Sequence, residues 1–194
     1  MSTITIERKT KETNITVGLE MSSARAPEIS TGVPFFDHML RAAAFHGAFT
    51  LSVAATGDIE VDAHHVVEDV GLVIGDALRK TFTEYGAVTR YGHSVIPMDD
   101  ALCEVAIDVC ERPYLVFALD FPQAIVGTFD PTLLREFFTA LANRAAINLH
   151  VVSRHGLNSH HIAEAAFKAF GTALKSAYSP VATDRAAMST KGVV

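Results

Sequence analysis

Residues 64–82 read HHVVEDVGLVIGDALRKTF, and residues 160–178 read HHIAEAAFKAFGTALKSAY. Set side by side without a gap, the two carry His-His, Glu, Gly, Ala and Leu at the same offsets. That is six identities in nineteen positions, and most of the others stay apolar. Internal self-similarity of this kind marks a duplicated module. Both stretches are free of proline and carry alanine and leucine among apolar neighbours, so each predicts a long, largely buried helix.

Working outward, residues 34–47 (PFFDHMLRAAAFHG) and 132–145 (TLLREFFTALANRA) also pattern as helices, each followed by an apolar stretch, 48–55 and 146–152, that reads as a strand. Strand-like runs precede them at 2–8 and 13–21 in the first half and at 102–109 and 113–119 in the second. Alternation is clearest in ALCEVAIDV. The expected fold class is therefore α+β and internally duplicated. Each half is a small, mostly antiparallel or mixed sheet with two helices on one face. Residues 1–92 form the first half, 93–183 the second, and 184–194 a mobile C-terminal tail, rich in small and polar residues.

The chain has 194 residues, 49% of them apolar and 20% charged, the balance of a globular protein with a sizeable core. A net charge of −6 argues against a general nucleic-acid binder, which needs a basic face for phosphates. No apolar run approaches the roughly 20 residues that span a bilayer. The start, MSTITIERKTKE, has no apolar signal core, so a cytoplasmic location is expected. Cys103 and Cys110 form neither a CxxC pair nor a disulfide framework, and both read as small buried apolar residues.

Histidine is the unusual residue. There are nine, and four stand in two adjacent pairs. On a helix His64 and Glu68 share a face, whereas His65 lies about 100° around the axis. Neighbouring histidines therefore grip one ion together poorly but can serve two different ions. The same holds for His160, His161 and Glu164. A single HHxxE would be weak evidence of a metal site, since a lone buried histidine is usually a hydrogen-bonded core residue. Two copies at equivalent places in a repeat are much stronger. Aligning the shorter helices sets His38 opposite Glu136, so the candidate ligands are His38, His64, His65, Glu68, Glu136, His160, His161 and Glu164, enough for two sites of four. Mixed imidazole and carboxylate without thiolate suits manganese, iron or another octahedral divalent ion better than structural zinc. Asp62 and Asp69 flank the first motif, and either helix capping or support of a metal-bound histidine would explain them.

These motifs resemble the imidazoleglycerol-phosphate dehydratase family. The resemblance rests on TGVPFFDHML (31–40), DAHHVVEDVG (62–71), NSHHIAEAAFKA (158–169) and STKG (189–192), together with RKTKET, PMDDAL and ERPY, and it runs nearly the whole chain in order. It implies a duplicated α+β fold like the second domain of ribosomal protein S5. It also implies a hydro-lyase of histidine biosynthesis with two manganese ions per active site, shared between subunits of a homo-oligomeric shell of about twenty-four chains. By the same resemblance, Glu12, Glu68, Glu164 and His46 are catalytic, and Arg90, Arg112, Lys168, Ser189, Lys191 and Met98 meet the substrate and its phosphate. Arginine and lysine suit a phosphate dianion. The tail carrying Ser189 and Lys191 would close over the substrate. The chain departs from the family pattern at Arg41 and Ala42, where Asp-Gln is usual, at Asp100, one methylene short of the usual Glu, and at Glu136, where many members have histidine.

The implied reaction dehydrates D-erythro-imidazole-glycerol phosphate to imidazole-acetol phosphate through a dimanganese-bound imidazolate and a diazafulvene-like intermediate, with a carboxylate such as Glu12 moving protons. The residues alone establish only a dinuclear site. A dinuclear metallohydrolase, or a non-catalytic metal-binding shell, remains an alternative at this point. The first would carry more aspartates among its ligands, and the second would need no phosphate-binding basic residues.

Overall fold

A computed structural model describes residues 3–182 and Met188. The first half runs β1 (Ile4–Lys9), β2 (Thr13–Glu20), β3 (Glu28–Ser30), α1 (Pro34–Gly47), β4 (Thr50–Gly57) and α2 (His64–Tyr85). The second repeats the order: β5 (Tyr91–Met98), β6 (Ala101–Val109), β7 (Tyr114–Ala118), α3 (Leu133–Ala145), β8 (Ile147–His155) and α4 (Ser159–Ala177). Each half folds its strands into a four-stranded mixed sheet, in order β1-β2-β4-β3 and β5-β6-β8-β7. In each, one edge strand is antiparallel and the other is parallel to its neighbour. The duplicated α+β architecture expected from the repeat is thus the observed one.

Local chemistry accounts for these elements. Along β6 the side chains of Ala101, Cys103, Val105, Ile107 and Val109 are buried and their neighbours are not, the period-two pattern of a sheet with one covered face. Pro34 opens α1 at the first-turn position that tolerates a missing N–H. Both short helices end on an alanine in the left-handed region, Ala48 at φ 50° and Ala146 at φ 55°, so the duplication persists in backbone geometry where the sequences have diverged.

The helices do not pair within their own halves. Helix α1 packs on α4 and α2 on α3, so the two helical faces meet and share a contiguous core. The glycine common to both repeats explains the close crossing. A Cβ on Gly75 would fall 2.7 Å from the Leu141 carbonyl oxygen of α3, and one on Gly171 would fall 2.0 Å from that of Ala43 in α1. Phe36 and Phe137 meet edge to face between the halves, with ring centroids 5.2 Å apart.

Two strands were not anticipated. β3 has only three residues, and β5 (YGHSVIPM) contains glycine, histidine and proline, all poor strand signals. β5 tolerates Pro97 because it is an edge strand. The sequence reading had set 102–109 and 113–119 against the first two strands, whereas β5 and β6 are the counterparts of β1 and β2, and β7 that of β3. Both cysteines are free and buried. Among the described residues no helix is long and apolar enough to cross a membrane.

Candidate metal centre

The HHxxE motifs open α2 and α4. Asn158 caps α4 through its side-chain oxygen, which accepts from the His160 backbone N–H at 2.9 Å, and Asp62 does the same for His64 at 2.7 Å. These contacts fix the backbone so that each histidine projects at a helix N-terminus, with its glutamate one turn on. A cation there meets the positive end of the helix dipole, so an anionic donor at the fourth residue is needed to make the position favourable.

The best-drawn cluster combines α1 and α4. His38, His160 and Glu164 bring one ligand atom each to within 4.8 Å of one another. Nε2 of His160 lies 3.2 Å from Glu164 Oε2, and Nε2 of His38 lies 3.4 Å from the same oxygen. The carboxylate is only 11% exposed. Burial alone would raise its pKa, but the Lys168 ammonium 2.9 Å from Oε1, together with His38, holds it below the ordinary value. A buried, ionised carboxylate beside two imidazoles is a donor set suited to a divalent ion.

The pseudo-equivalent residues lie on α2 and α3. Nε2 of His64 is 3.4 Å from Glu68 Oε2, with both side chains about two-fifths exposed, and Glu136 lines the same cleft of about 300 Å³ as His64. Here the donors are less tightly gathered than in the first cluster.

His65 and His161 join neither cluster. Each is turned away by an aspartate: His65 Nδ1 lies 3.0 Å from Asp58 Oδ2, and His161 Nδ1 lies 2.5 Å from Asp100 Oδ1. The Asp58 hydrogen bond raises the His65 pKa against the opposing effect of burial, with the Glu12 charge adding to it. The bond to His161 and those from the Leu157 and Asn158 N–H groups hold Asp100 well below the usual carboxylate range. An aspartate on Nδ1 leaves Nε2 as the ligand atom, the arrangement that orients metal-binding histidines, and the exposed Asp99 carboxylate lies 3.6 Å from the Nε2 of His161. The sequence leaves Asp62 and Asp69 open to helix capping or to this support. Asp62 accepts from the His64 N–H at the start of α2, and Asp69 is buried against Arg8 and Thr13. The signal for Asp100 was its place in the PMDDAL turn. Asp58 carried none.

Of the other predicted residues, Glu12 sits exposed in the β1–β2 turn, close enough for its charge to act on His65. Lys168 lies between Glu164 and Met98, whose sulfur is 3.1 Å from Nζ. His46, two turns beyond His38, has its pKa lowered by burial and then by the Lys168 charge, with Glu164 opposing. Arg90 and Arg112 are elsewhere. Arg90 is paired with Asp108 at 2.7 Å near the end of β6, and Arg112 lies just beyond that strand. His161 and Asp100 lie at the start of β6, roughly 30 Å away along it. Among the described residues, the His38–His160–Glu164 cluster has neither arginine in it. Ser189 and Lys191 lie outside the described residues.

The fold and the paired imidazole–carboxylate clusters define a duplicated α+β protein built around a candidate metal centre. The family model for imidazoleglycerol-phosphate dehydratase matches residues 31–174. An imidazoleglycerol-phosphate dehydratase from Geobacter sulfurreducens is 47% identical over 188 residues, covering 97% of this chain and 96% of its own length. One from Acetivibrio thermocellus is 48% identical, with 97% of each chain covered. The crystal structure of the Staphylococcus aureus enzyme superposes with a TM-score of 0.82 at 37% identity, covering 92% of this chain and all of that one. The Pyrococcus furiosus enzyme gives 0.85 at 38%, with 97% and 100% covered. The chain belongs to the imidazoleglycerol-phosphate dehydratase family, the hydro-lyases of histidine biosynthesis.

Proposed function

We propose that the protein dehydrates D-erythro-imidazole-glycerol phosphate to imidazole-acetol phosphate in the cytoplasm, using two manganese ions per active site shared between copies of the chain in a shell of about twenty-four. The observation that carries this reading is the His38–His160–Glu164 cluster, repeated in outline by His64, Glu68 and Glu136. The His38–His160–Glu164 cluster has three donors from its own chain, and the Nε2 atoms of His65 and His161 would serve a neighbouring copy. The donor types fit manganese, being imidazole and carboxylate without thiolate. The distance between the clusters and the Arg90–Arg112 end of the second sheet is the second reason to draw the site from more than one copy.

Bound divalent ions would supply electrostatic stabilisation to the imidazole ring as its proton is lost. The chain's own groups do the rest. Asp58 and Asp100 hold His65 and His161 in one tautomer and one orientation. Lys168 supplies positive charge for the phosphate, joined by Arg90, Arg112, Ser189 and Lys191. Met98 and His46 flank Lys168 and shape the phosphate end. Glu12, exposed beside His65, is placed to accept the carbon-bound proton and to return one to the departing hydroxyl.

The test is direct. Metal-free protein reloaded with manganese is given imidazole glycerol phosphate, and the ketone product is followed. Manganese-dependent ketone formation is the expected result. Hydrolysis to free phosphate, or metal binding without turnover, would replace this reading with a hydrolase or a passive metal binder.

A further inference from the structure

Arg90 is held more firmly than a surface cation needs to be. Its backbone sits at φ 75°, in the left-handed region that residues other than glycine rarely adopt. It is pinned there from both sides. The N–H donates to the Ala177 carbonyl at the end of α4, and the carbonyl accepts from the Val109 N–H of β6, each at 3.0 Å. The side chain is only 13% exposed. Asp108 grips it along one edge: Nε donates to Oδ1 at 2.7 Å and Nη2 to Oδ2 at 3.2 Å. The guanidinium lies 4.8 Å from the centre of the Tyr91 ring, and Nη1 donates to the Met188 carbonyl. A guanidinium carries five N–H donors in one plane. Three are engaged, and among the described residues the other two, one on each terminal nitrogen, have no acceptor. Across the sheet from Asp108, Asn148 donates to the Arg112 carbonyl, so the backbone of the second arginine is fixed at the same end of β6.

We infer that Asp108 is a positioning residue for the phosphate of the substrate. It clamps the Arg90 guanidinium before the substrate arrives, so the two free donors are already aimed and little side-chain freedom is lost on binding. The inference rests on the proposed reading that Arg90 meets phosphate, and Asp108 itself touches no substrate. Two effects of the carboxylate oppose one another. Its charge repels a phosphate dianion, while its fork fixes the group that attracts one. Asp108 is partly open to solvent, which screens the repulsion. An unclamped arginine, by contrast, would have to be ordered at every binding event, which is worth about 2–10-fold in affinity. Orientation is therefore the larger effect. The competing role is that of an ion pair that only keeps a largely buried charge satisfied, and it would act on stability rather than on phosphate.

The experiment uses the full chain loaded with manganese, and inorganic phosphate as the probe. Phosphate is read as an inhibitor of imidazole glycerol phosphate turnover and directly by calorimetry. Asp108→Asn is expected to raise KM and the phosphate constant together, by about 2–10-fold. It should lower kcat less, because the phosphate carries the same charge in the ground and transition states. Asp108→Glu, which keeps the charge and a two-oxygen fork, should recover part of the loss, with metal content at the wild-type level in both variants. Tighter phosphate binding by Asp108→Asn would show that the carboxylate only repels. Unchanged constants with a lower Tm would show only a structural ion pair. Either result overturns the inference. Where a variant does not fold, wild-type crystals soaked in phosphate decide the matter. Phosphate on Arg90 with the Asp108 fork intact is expected, and phosphate that displaces Asp108 or bypasses Arg90 overturns the inference. Wild-type protein that binds phosphate at Arg90 but forms no ketone would instead overturn the dehydratase reading and leave the role of Asp108 standing.

Discussion

Glu164 answers to three neighbours at once. Its two oxygens face Lys168 on one side and His38 and His160 on the other, so a change at any of them redistributes charge at the cluster. Asp100 has a simpler task, holding His161 by Nδ1. Under the proposed function, Asp100→Asn should lower metal affinity by about 10–100-fold, measured by competition with a chromogenic chelator. Unchanged affinity would show that Asp100 serves only the Leu157 and Asn158 N–H groups. Far from the site, Tyr178 is fully buried, and its hydroxyl finds no hydrogen-bond partner among the described residues. Removing it should relieve a desolvation cost, so Tyr178→Phe is expected to raise stability by about 1 kcal/mol in denaturant unfolding. A loss of stability would place an ordered water on that hydroxyl. The histidines and glutamates of the two HHxxE motifs were legible in the sequence because repetition singles them out. The pairing of His65 with Asp58 was not, since nothing in the chain order announces a contact made by a loop folding back on a helix start.

Among the elements, the helix crossings matter most. Gly171 lets α1 and α4 approach closely enough for His38 to reach Glu164. Gly171→Ala must push the helices apart against the Ala43 backbone and should cost about 1–3 kcal/mol. It should also weaken metal retention, because the displaced helix carries His38. Gly75→Ala tests the α2–α3 crossing, where the intruding Cβ meets the Leu141 carbonyl less severely. A Gly171→Ala variant with wild-type stability and metal content would mean that the crossing has slack. All four helices were readable from periodicity and composition, but their partners were not. Which helix lies on which depends on contacts between residues far apart in the chain, and the periodicity of a single helix does not report them. β3 and β5 were missed for a local reason: three residues give too short an alternation to detect, and the glycine and proline of β5 are signals of turns.

For the whole molecule, the proposed function calls for an assembly of several copies of the chain. Under the proposed function, chelation of the metal should shrink the particle, and light scattering with and without chelator measures it. Unchanged mass after complete metal removal would exclude metal as the mortar. Deleting residues 187–194 should leave assembly and metal content unaltered and nearly abolish turnover, since Ser189 and Lys191 are assigned to the phosphate. Wild-type kinetics in the truncated enzyme would remove the tail from the mechanism. The exchange of helix partners has one more consequence, for ancestry. The His38–His160–Glu164 cluster joins a helix of one half to a helix of the other, α1 with α4, and α2 packs on α3 in the same crossed way. Under the proposed function, a single ancestral module would gather such donors by pairing with its twin, so a two-fold dimer is the expected forerunner of the fused chain. The same logic predicts that the halves, expressed as separate polypeptides, will find each other and regain the Phe36–Phe137 contact together with the His38–Glu164 contact, while either fragment alone binds no ion at that cluster.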